Sequence, residues 1–445
     1  MRLSFNQTCL ILADAMLAGP ADAVLLVERM AAVLGAHAAW MPELAGAVIE
    51  QFGMRWDEVD GATLTPLVAE SAEFVAAWRS DTIPAVMRLL RRPPQQRAPV
   101  APLRHLALPQ ISTLADLAGW LNITGAELAW YANRWRVPAH SSAMPHHHYA
   151  YRAVEKRDGR WRLIESPKSE LRALQRKILH GLLERIPPHD AAHGFRKSRN
   201  IVTFAAPHAA RAVVIRLDLA DFFASVPTPR VHAILGAVGY PQAVASTLAA
   251  LCTNRVPSGR LLEADLRDGF DWQTRQRYRT RHLPQGAPTS PVLANLCAYR
   301  LDVRLAALAR SLDATYTRYA DDLAFSGDEA LQRAAERFAI RVAAIALEEG
   351  FVVQPHKTRI MRRGARQHLA GVVVNRHPNM ARDQFDRLKA LLTNCVRAGP
   401  ESQNRDGVAD FCAHLRGHVA HATMLNASRG GKLMAIFDRI VWDER

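Results

Sequence analysis

Two acidic elements about a hundred residues apart, each set in an apolar strand, constrain this chain more than any other feature. The first is Arg216-Leu-Asp218-Leu-Ala-Asp221-Phe-Phe223, where the apolar run Ala212 to Ile215 leads into two acids. A buried strand avoids such charge unless something compensates it, and a metal ion is the natural candidate. The second is Tyr319-Ala-Asp321-Asp322, flanked by Thr315 to Arg318 and Leu323 to Ser326. Alternation on both sides predicts a hairpin with two adjacent acids at its tip. Alone, an Asp-Asp turn is more often a solvated turn than a metal site. Together, two strands paired in one sheet would converge their carboxylates, and convergent hard oxygen donors bind Mg²⁺. Two such ions can clamp the attacking and leaving oxygens of a phosphoryl transfer.

Between the two elements lies Leu283-Pro-Gln-Gly286-Ala-Pro-Thr-Ser290-Pro-Val-Leu-Ala-Asn295. Its Gly and Pro residues force a turn, and Ser290-Pro291 can start a helix, so backbone amides and the Gln285 amide can face a nucleotide. The order of this loop, between two acidic strands, matters more than its composition.

A chain of 445 residues with 49% hydrophobic and 22% charged side chains is an ordinary globular protein of several domains. No uncharged apolar run approaches the roughly 20 residues that span a bilayer, which predicts no membrane association. Cys9 to Ala18 faintly resembles a secretory core, but Asp14 interrupts it and only Arg2 precedes it, so it reads as a helix. Five scattered cysteines without CxxC spacing suit a reducing cytoplasm rather than a disulfide framework or a zinc cluster. His146 to His148 has no second Cys or His cluster at finger-like spacing, which favours a surface strand or an RNA contact over zinc.

Charge is unevenly placed. Residues 1–90 hold five Lys/Arg against eleven Asp/Glu, and the remaining residues 52 against 31. The basic field of the later three-quarters attracts polyphosphate, with nucleic acid the first suspect. A plainer source is GC-rich coding, since 50 of the 57 basic residues are arginine.

The first ninety residues read as short helices; Asp22 can cap one whose apolar face includes Val24, Val27, Ala31 and Leu34, and Gly35 can end it. Residues 91–108 are Pro/Arg-rich and read as a linker, and 109–145 as a small helical segment. From 146 to 375, strand-like runs such as Ala212 to Leu219 alternate with helical runs such as Glu170 to Leu183, an α+β pattern. The tail, 376–445, is helical: Phe385, Leu388, Leu391, Leu392 and Cys395 share one face, and Val408, Phe411, Leu415 and Val419 another.

RLDLADFF, LPQGAPTSPVLANL and YADDLAFSG resemble the successive palm motifs of reverse transcriptases, and GFVVQPHKTRI resembles the next one. RWRLIESPKSELRALQRKIL and AHGFRKSRNIV resemble the fingers motifs of the bacterial enzymes. His146 to Tyr149, the PPHDAAHGF run and the short helical tail are most similar to retron reverse transcriptases. Two boxes depart from that pattern: Phe204-Ala-Ala-Pro-His208 stands in place of NAxxH, and Leu369-Ala-Gly371 in place of VTG.

The resemblance implies a right-hand polymerase, with fingers and a palm carrying an antiparallel sheet over 146–375 and a helical thumb over 376–445, preceded by an all-helical N-terminal extension. It implies an RNA-directed DNA polymerase using Mg²⁺ and deoxynucleoside triphosphates. Such an enzyme copies a structured non-coding RNA, serving as template and primer, into branched single-stranded DNA, usually in antiphage defence. Asp218 and Asp321 would ligate the metals and Asp322 would support them. Arg162 and Lys156 would meet the triphosphate, Gln285 the sugar, and Phe223 would exclude a 2′-hydroxyl while Phe222 packs in the core. Lys357 would steady the metal site or the primer end, and Arg196, Lys197 and His208 would contact RNA. The acidic extension would suit an effector protein. Alternatives are another bacterial defence or diversity-generating reverse transcriptase, or an RNA-binding scaffold without turnover.

Overall fold

The structure, a computed structural model, describes residues 3–442 apart from 81, 84, 91–94, 133–147, 156–158, 160, 262 and 264–268. The chain forms two compact units, Met1–Gln95 and Gln96–Arg445. Among the described residues no helix is long and apolar enough to cross a membrane.

The first unit is helical, with α-helices Phe5–Met16, Ala23–Leu34, Met41–Phe52, Gly61–Glu70 and Ala72–Arg79. Ser4 and Gln7 form a capping box at the first, and Asp22 accepts from the Leu25 N–H at the second, satisfying donors that a helix start leaves open. Gly35, at φ 73°, ends that helix in the left-handed region. Its buried stripe is Leu26, Met30, Ala31, Val33 and Leu34, whereas Val24, expected on that face, is 69% exposed. The larger pair Leu26 and Met30, four residues apart, takes the core-facing stripe and turns Val24 in the first helical turn outward. Cys9, Leu12, Met16, Trp40, Leu44, Val48 and Phe74 complete this core.

The second unit is built on antiparallel sheets. Strands β1 (Tyr149–Glu155) and β2 (Trp161–Pro167) form a hairpin. Strands β3 (Val213–Asp218), β4 (Thr315–Tyr319), β5 (Asp322–Gly327) and β6 (Arg359–Arg362) form one sheet in the order β4-β5-β3-β6. Strands β7 (His368–Leu369) and β8 (Val372–Val373) pair separately. Alternation divides β3 between two cores. Val213, Ile215 and Leu217 join Leu323 and Phe325 in a cluster with Leu301, Leu305, Phe338 and Val342 of the helices Tyr299–Arg310 and Glu329–Glu348. Val214 and Ala324 join the opposite cluster, with Phe204, Leu388, Leu415 and Leu433. The tail helices Arg382–Ala398, Phe411–Leu425 and Ala427–Phe437 belong to that second cluster. Asp410 caps the middle one by accepting from the Ala413 N–H, so Val408, expected on its face, lies ahead of it.

Of the stretch expected to be a linker, the part from Gln96 is bonded to the second unit: the Arg97 and Val100 N–H groups donate to Gly239 and Ala237 at 2.8 and 2.9 Å. Leu108 and Ile111 are buried there.

The turn joining β4 to β5 is held by a buried charge pair. The Arg318 guanidinium, wholly buried, donates to both oxygens of the equally buried Asp302 at 2.8 and 2.6 Å. It also donates to Asn295 Oδ1 at 2.9 Å and to the Ala320 carbonyl within the turn at 3.1 Å. Tyr316 donates its hydroxyl to Asp302 at 2.7 Å. Ala320 occupies the left-handed region at φ 55°, and Gly194 lies so close that a Cβ there would stand 2.7 Å from the Ala320 nitrogen. A side chain at 194 would displace the turn.

Arg318→Met leaves Asp302 buried without its counter-charge and should destabilise the second unit by about 3–5 kcal/mol, read from urea unfolding. Adding Asp302→Leu should recover much of that loss, because an apolar pair replaces an ion pair at little cost.

Candidate active site

The β3–β5 register sets Asp218 opposite Asp322. The Leu219 N–H donates to the Asp321 carbonyl at 2.9 Å, which draws the hairpin tip against the end of β3. Arg216 and Asp218 share one face of β3 by alternation, and so reach the same side as Asp322.

Each outer carboxylate has its own cation. Lys357 Nζ donates to both oxygens of Asp218 at 2.9 and 3.1 Å. Arg216 donates through Nε and Nη2 to Asp322 Oδ1 at 2.8 and 2.7 Å. No such cation meets Asp321 among the described residues. Burial, with the Asp218 and Asp322 charges adding to it, pushes the Asp321 carboxyl up to about 6. Burial raises Asp322 as well, against the pull of Arg216.

Asp321 opens onto a cavity of about 200 Å³. Trp161 and Arg162 reach it from β2, Phe223 and Asp221 from the turn after β3, Gln285 from the Pro-Gln-Gly loop, and Lys357 from beyond the long helix. One wall is aromatic, with Phe195 and Phe223 rings 5.9 Å apart. Arg162, Glu165, Asp221, Asp321 and Lys357 add charge among further apolar lining residues such as Leu219 and Leu283.

Among the described residues no three His, Cys, Asp or Glu side chains gather closely enough to enclose a metal ion. The chemistry of the donors nonetheless fits a hard divalent cation: every candidate is a carboxylate, and burial with two neighbouring acids opposes the Asp321 charge more than Lys357 relieves it.

Residues 154–388 match the sequence model of the family described as reverse transcriptase (RNA-dependent DNA polymerase). The chain is 41% identical over 333 residues to the retron Mx65 reverse transcriptase of Myxococcus xanthus, spanning 75% of this chain and 73% of that one. The chain belongs to the bacterial retron reverse transcriptases. It is 36% identical to the retron Mx162 enzyme of the same organism, over 75% of this chain and 68% of the other. It is 26% identical to the retron Ec86 enzyme of Escherichia coli, over 76% and 92%. As a retron reverse transcriptase it is an RNA-directed DNA polymerase, with an RNA template and a DNA product as partners and a divalent metal as the cofactor of the family.

Asp218, Asp321, Asp322, Arg162, Phe223, Gln285 and Lys357, named from the sequence, meet at or beside one cavity. Phe222 is 4% exposed and packs in the core and Phe223 is half-buried, and both line the cavity. Arg196 and Lys197, which follow the lining residue Phe195, do not line it and pair with Asp190 at 3.4 Å and Glu184 at 2.6 Å. Lys156, His146 and His147 fall outside the described residues.

His208 does not stand where RNA can reach it. It is wholly buried, with Nδ1 2.7 Å from the Ser326 hydroxyl and Nε2 2.7 Å from that of Thr317, so it ties two strands together from within. A motif resemblance carries no information about burial, and here the ring is a core group. Burial, with His193 and Arg211 adding to it, pushes its pKa down to about 3 and keeps it neutral.

Two contributors were quoted within a motif but given no role of their own from the sequence. Arg216 was quoted only as the start of a motif, although its spacing of two from Asp218 puts both on one strand face. Asp221, at φ 47°, accepts from Arg277 Nη1 at 2.7 Å and Thr274 Oγ1 at 3.2 Å, both on the helix Trp272–Arg279. Nothing in the spacing announces that pair, because a different element supplies the partner.

His208 binds a proton in the unfolded chain near pH 6.5 but not in the folded one until about 3. Its neutral-state contribution is complete above about pH 6.5 and fades as pH falls below that. Urea midpoints should therefore drop between pH 7 and pH 5, and His208→Gln should flatten that drop while lowering stability at pH 7 by about 1 kcal/mol or more for impaired buried hydrogen bonds.

Proposed function

We propose that this enzyme copies a structured non-coding RNA of its own locus into branched single-stranded DNA, in cytoplasmic antiphage defence. The observation that carries the catalytic part is the unpaired Asp321 beside Asp218 at the mouth of the cavity. On this reading β1–β2 belong to the fingers, the four-stranded sheet is the palm and the tail helices are the thumb.

Asp218 and Asp321 hold magnesium, with Asp322 behind them, and their neighbours divide the remaining work. Bound magnesium would neutralise the triphosphate and lower the pKa of the primer hydroxyl. Lys357 holds the Asp218 carboxylate in one orientation, and Arg216 holds that of Asp322. Arg162 offers a planar fork to the triphosphate, with Lys156 its sequence-implied assistant. Gln285 meets the sugar of the incoming deoxynucleotide, and the Phe223 ring fills the space that a 2′-hydroxyl would need. Arg196 and Lys197 meet RNA phosphates by exchanging their carboxylate partners for them, since exposed ion pairs hold only weakly. The acidic helical unit, unsuited to a polyanion, receives an effector protein.

Asp321→Asn should reduce DNA synthesis on the co-purified RNA by at least about a hundredfold, the scale of one lost preorganised electrostatic contact, with RNA binding unchanged. Full synthesis by a folded Asp321→Asn protein would sink this mechanism. Sequencing the bound nucleic acid should find one locus-encoded RNA joined covalently to DNA.

Phe223→Ala should lower discrimination against ribonucleotides by about 10- to 200-fold, the range a steric contact in a pocket commands. Paired single-nucleotide incorporation assays with dNTP and rNTP measure it, and unchanged selectivity would move the steric gate elsewhere.

A further inference from the structure

A second buried charge pair is set in the cavity wall itself, where Glu165 is one of the lining residues. Glu165 is on β2, three residues beyond Arg162, and it is wholly buried. Its Oε1 lies 2.8 Å from His282 Nε2, and its Oε2 accepts at 2.8 Å from Asn254 Nδ2, which also donates to the Tyr151 hydroxyl at 3.0 Å. The other ring nitrogen of His282 lies 2.8 Å from the Thr280 carbonyl. With Glu165 ionised, the carbonyl and the carboxylate both only accept, so both ring nitrogens donate and His282 is the imidazolium partner.

The same residues join the elements that shape the cavity. The Glu165 N–H donates to the Gln285 carbonyl at 2.8 Å, and the Asn254 and His282 backbones exchange hydrogen bonds at 2.9 Å each. Gly286, at φ 131°, lies so close that a Cβ would stand 2.9 Å from the Glu165 carbonyl oxygen. Leu163, Val256, Phe270 and Tyr278 form an apolar cluster on these same elements. In such surroundings a buried ion pair stabilises no better than apolar residues of equal size, so net stability does not account for it. What it adds is direction: two charged groups with fixed hydrogen-bond geometry hold β2 against the Pro-Gln-Gly loop.

We propose that Glu165 and His282 are a positioning pair that sets Arg162 and Gln285 at their working separation before the nucleotide enters. The inference rests on the nucleotide-binding reading of the cavity. Neither residue touches the reacting atoms; the pair acts through Arg162 and Gln285, and so on nucleotide affinity rather than on turnover.

The titratable groups facing His282 are Glu165 from β2, Tyr151 from β1 through Asn254, and Tyr278 from the helix Trp272–Arg279, its ring 5.1 Å away. Burial raises both tyrosines far above the working range, so neither titrates there. Burial works against the His282 charge, but the Glu165 carboxylate outweighs it and the ring's pKa lies above the ordinary histidine value. Loss of that proton leaves a ring nitrogen facing an acceptor, and the clamp loosens on the alkaline side.

The test is steady-state incorporation of dNTP on a fixed RNA template across pH 6.5 to 9.5. In the unsubstituted enzyme KM for dNTP should rise toward alkaline pH beyond any change in kcat. Glu165→Gln keeps an acceptor for His282, and a turned Asn254 amide can accept from the new amide, but the charge that sustains the imidazolium is gone. Its KM rise should shift to lower pH. His282→Gln should raise KM at neutral pH by about 10- to 100-fold, the range of a charge-assisted hydrogen bond, with kcat within about twofold. A flat KM profile in the unsubstituted enzyme overturns the proposal without recourse to any variant. So does a His282→Gln protein that melts normally and binds dNTP normally, or one in which kcat falls as much as affinity. Asp321→Asn, run alongside, separates the two readings: if it polymerises normally the catalytic assignment fails, whereas a dead Asp321→Asn with a flat KM profile removes only the positioning pair.

Discussion

The buried pair of Arg318 and Asp302 is the interaction on which the geometry of the candidate site depends. It sits at the base of the hairpin that ends in Asp321, and its guanidinium spends a fourth hydrogen bond on the carbonyl of Ala320, inside the turn itself. Asn295, from the helix that follows the Pro-Gln-Gly loop, accepts from Arg318 and donates to the Gly194 carbonyl at 2.8 Å. The turn is thereby fixed from below by a charge and from the side by a glycine that approaches it closely. Apolar packing pulls elements together without preferring one orientation, since it scales with area. An ångström-level placement of a carboxylate needs directional bonds, and a guanidinium with four of its five donors engaged supplies them.

The charge pattern at the site follows from strand geometry. Asp218 and Asp322 face one another across β3 and β5, where neighbouring cations reach them, while Asp321 belongs to the turn and receives none. Three acids with two counter-charges leave one carboxylate whose ionisation is opposed by its surroundings. A site of that kind is poor at stabilising the bare fold and well suited to a divalent cation, which is the trade expected where function rather than stability sets the charge.

Much of this was legible in the sequence. Apolar runs ending in acids announced β3 and the β4–β5 hairpin, and their convergence required only that the strands share a sheet. The helix at Ser290, the Asp22 and Gly35 caps of one helix in the first unit and the face of Arg382–Ala398 followed from local spacing. What stayed hidden depends on partners far along the chain. Arg216 meets an acid 106 residues away, and His208 meets hydroxyls 109 and 118 residues away. Strand alternation names a face but not what covers it. Val24 was misplaced for a related reason: helical periodicity admits two adjoining stripes, and the volume of Leu26 and Met30 decides which one is buried.

The two buried ion pairs answer one design problem from opposite walls. Arg318–Asp302 orients the turn that carries Asp321, and Glu165–His282 is built into the wall that carries Arg162 and Gln285. On the proposed reading, a nucleotide held beside the acidic cluster is gripped best when the groups on the two walls keep a fixed separation before it arrives, because a preordered site binds without the cost of ordering its side chains. A cavity lined on both sides only by apolar contacts would let that separation drift as side chains repack. Fixing each wall by its own desolvated charge pair removes the drift at little net gain in stability. On this view the buried charges are retained for the distance they hold between the two walls.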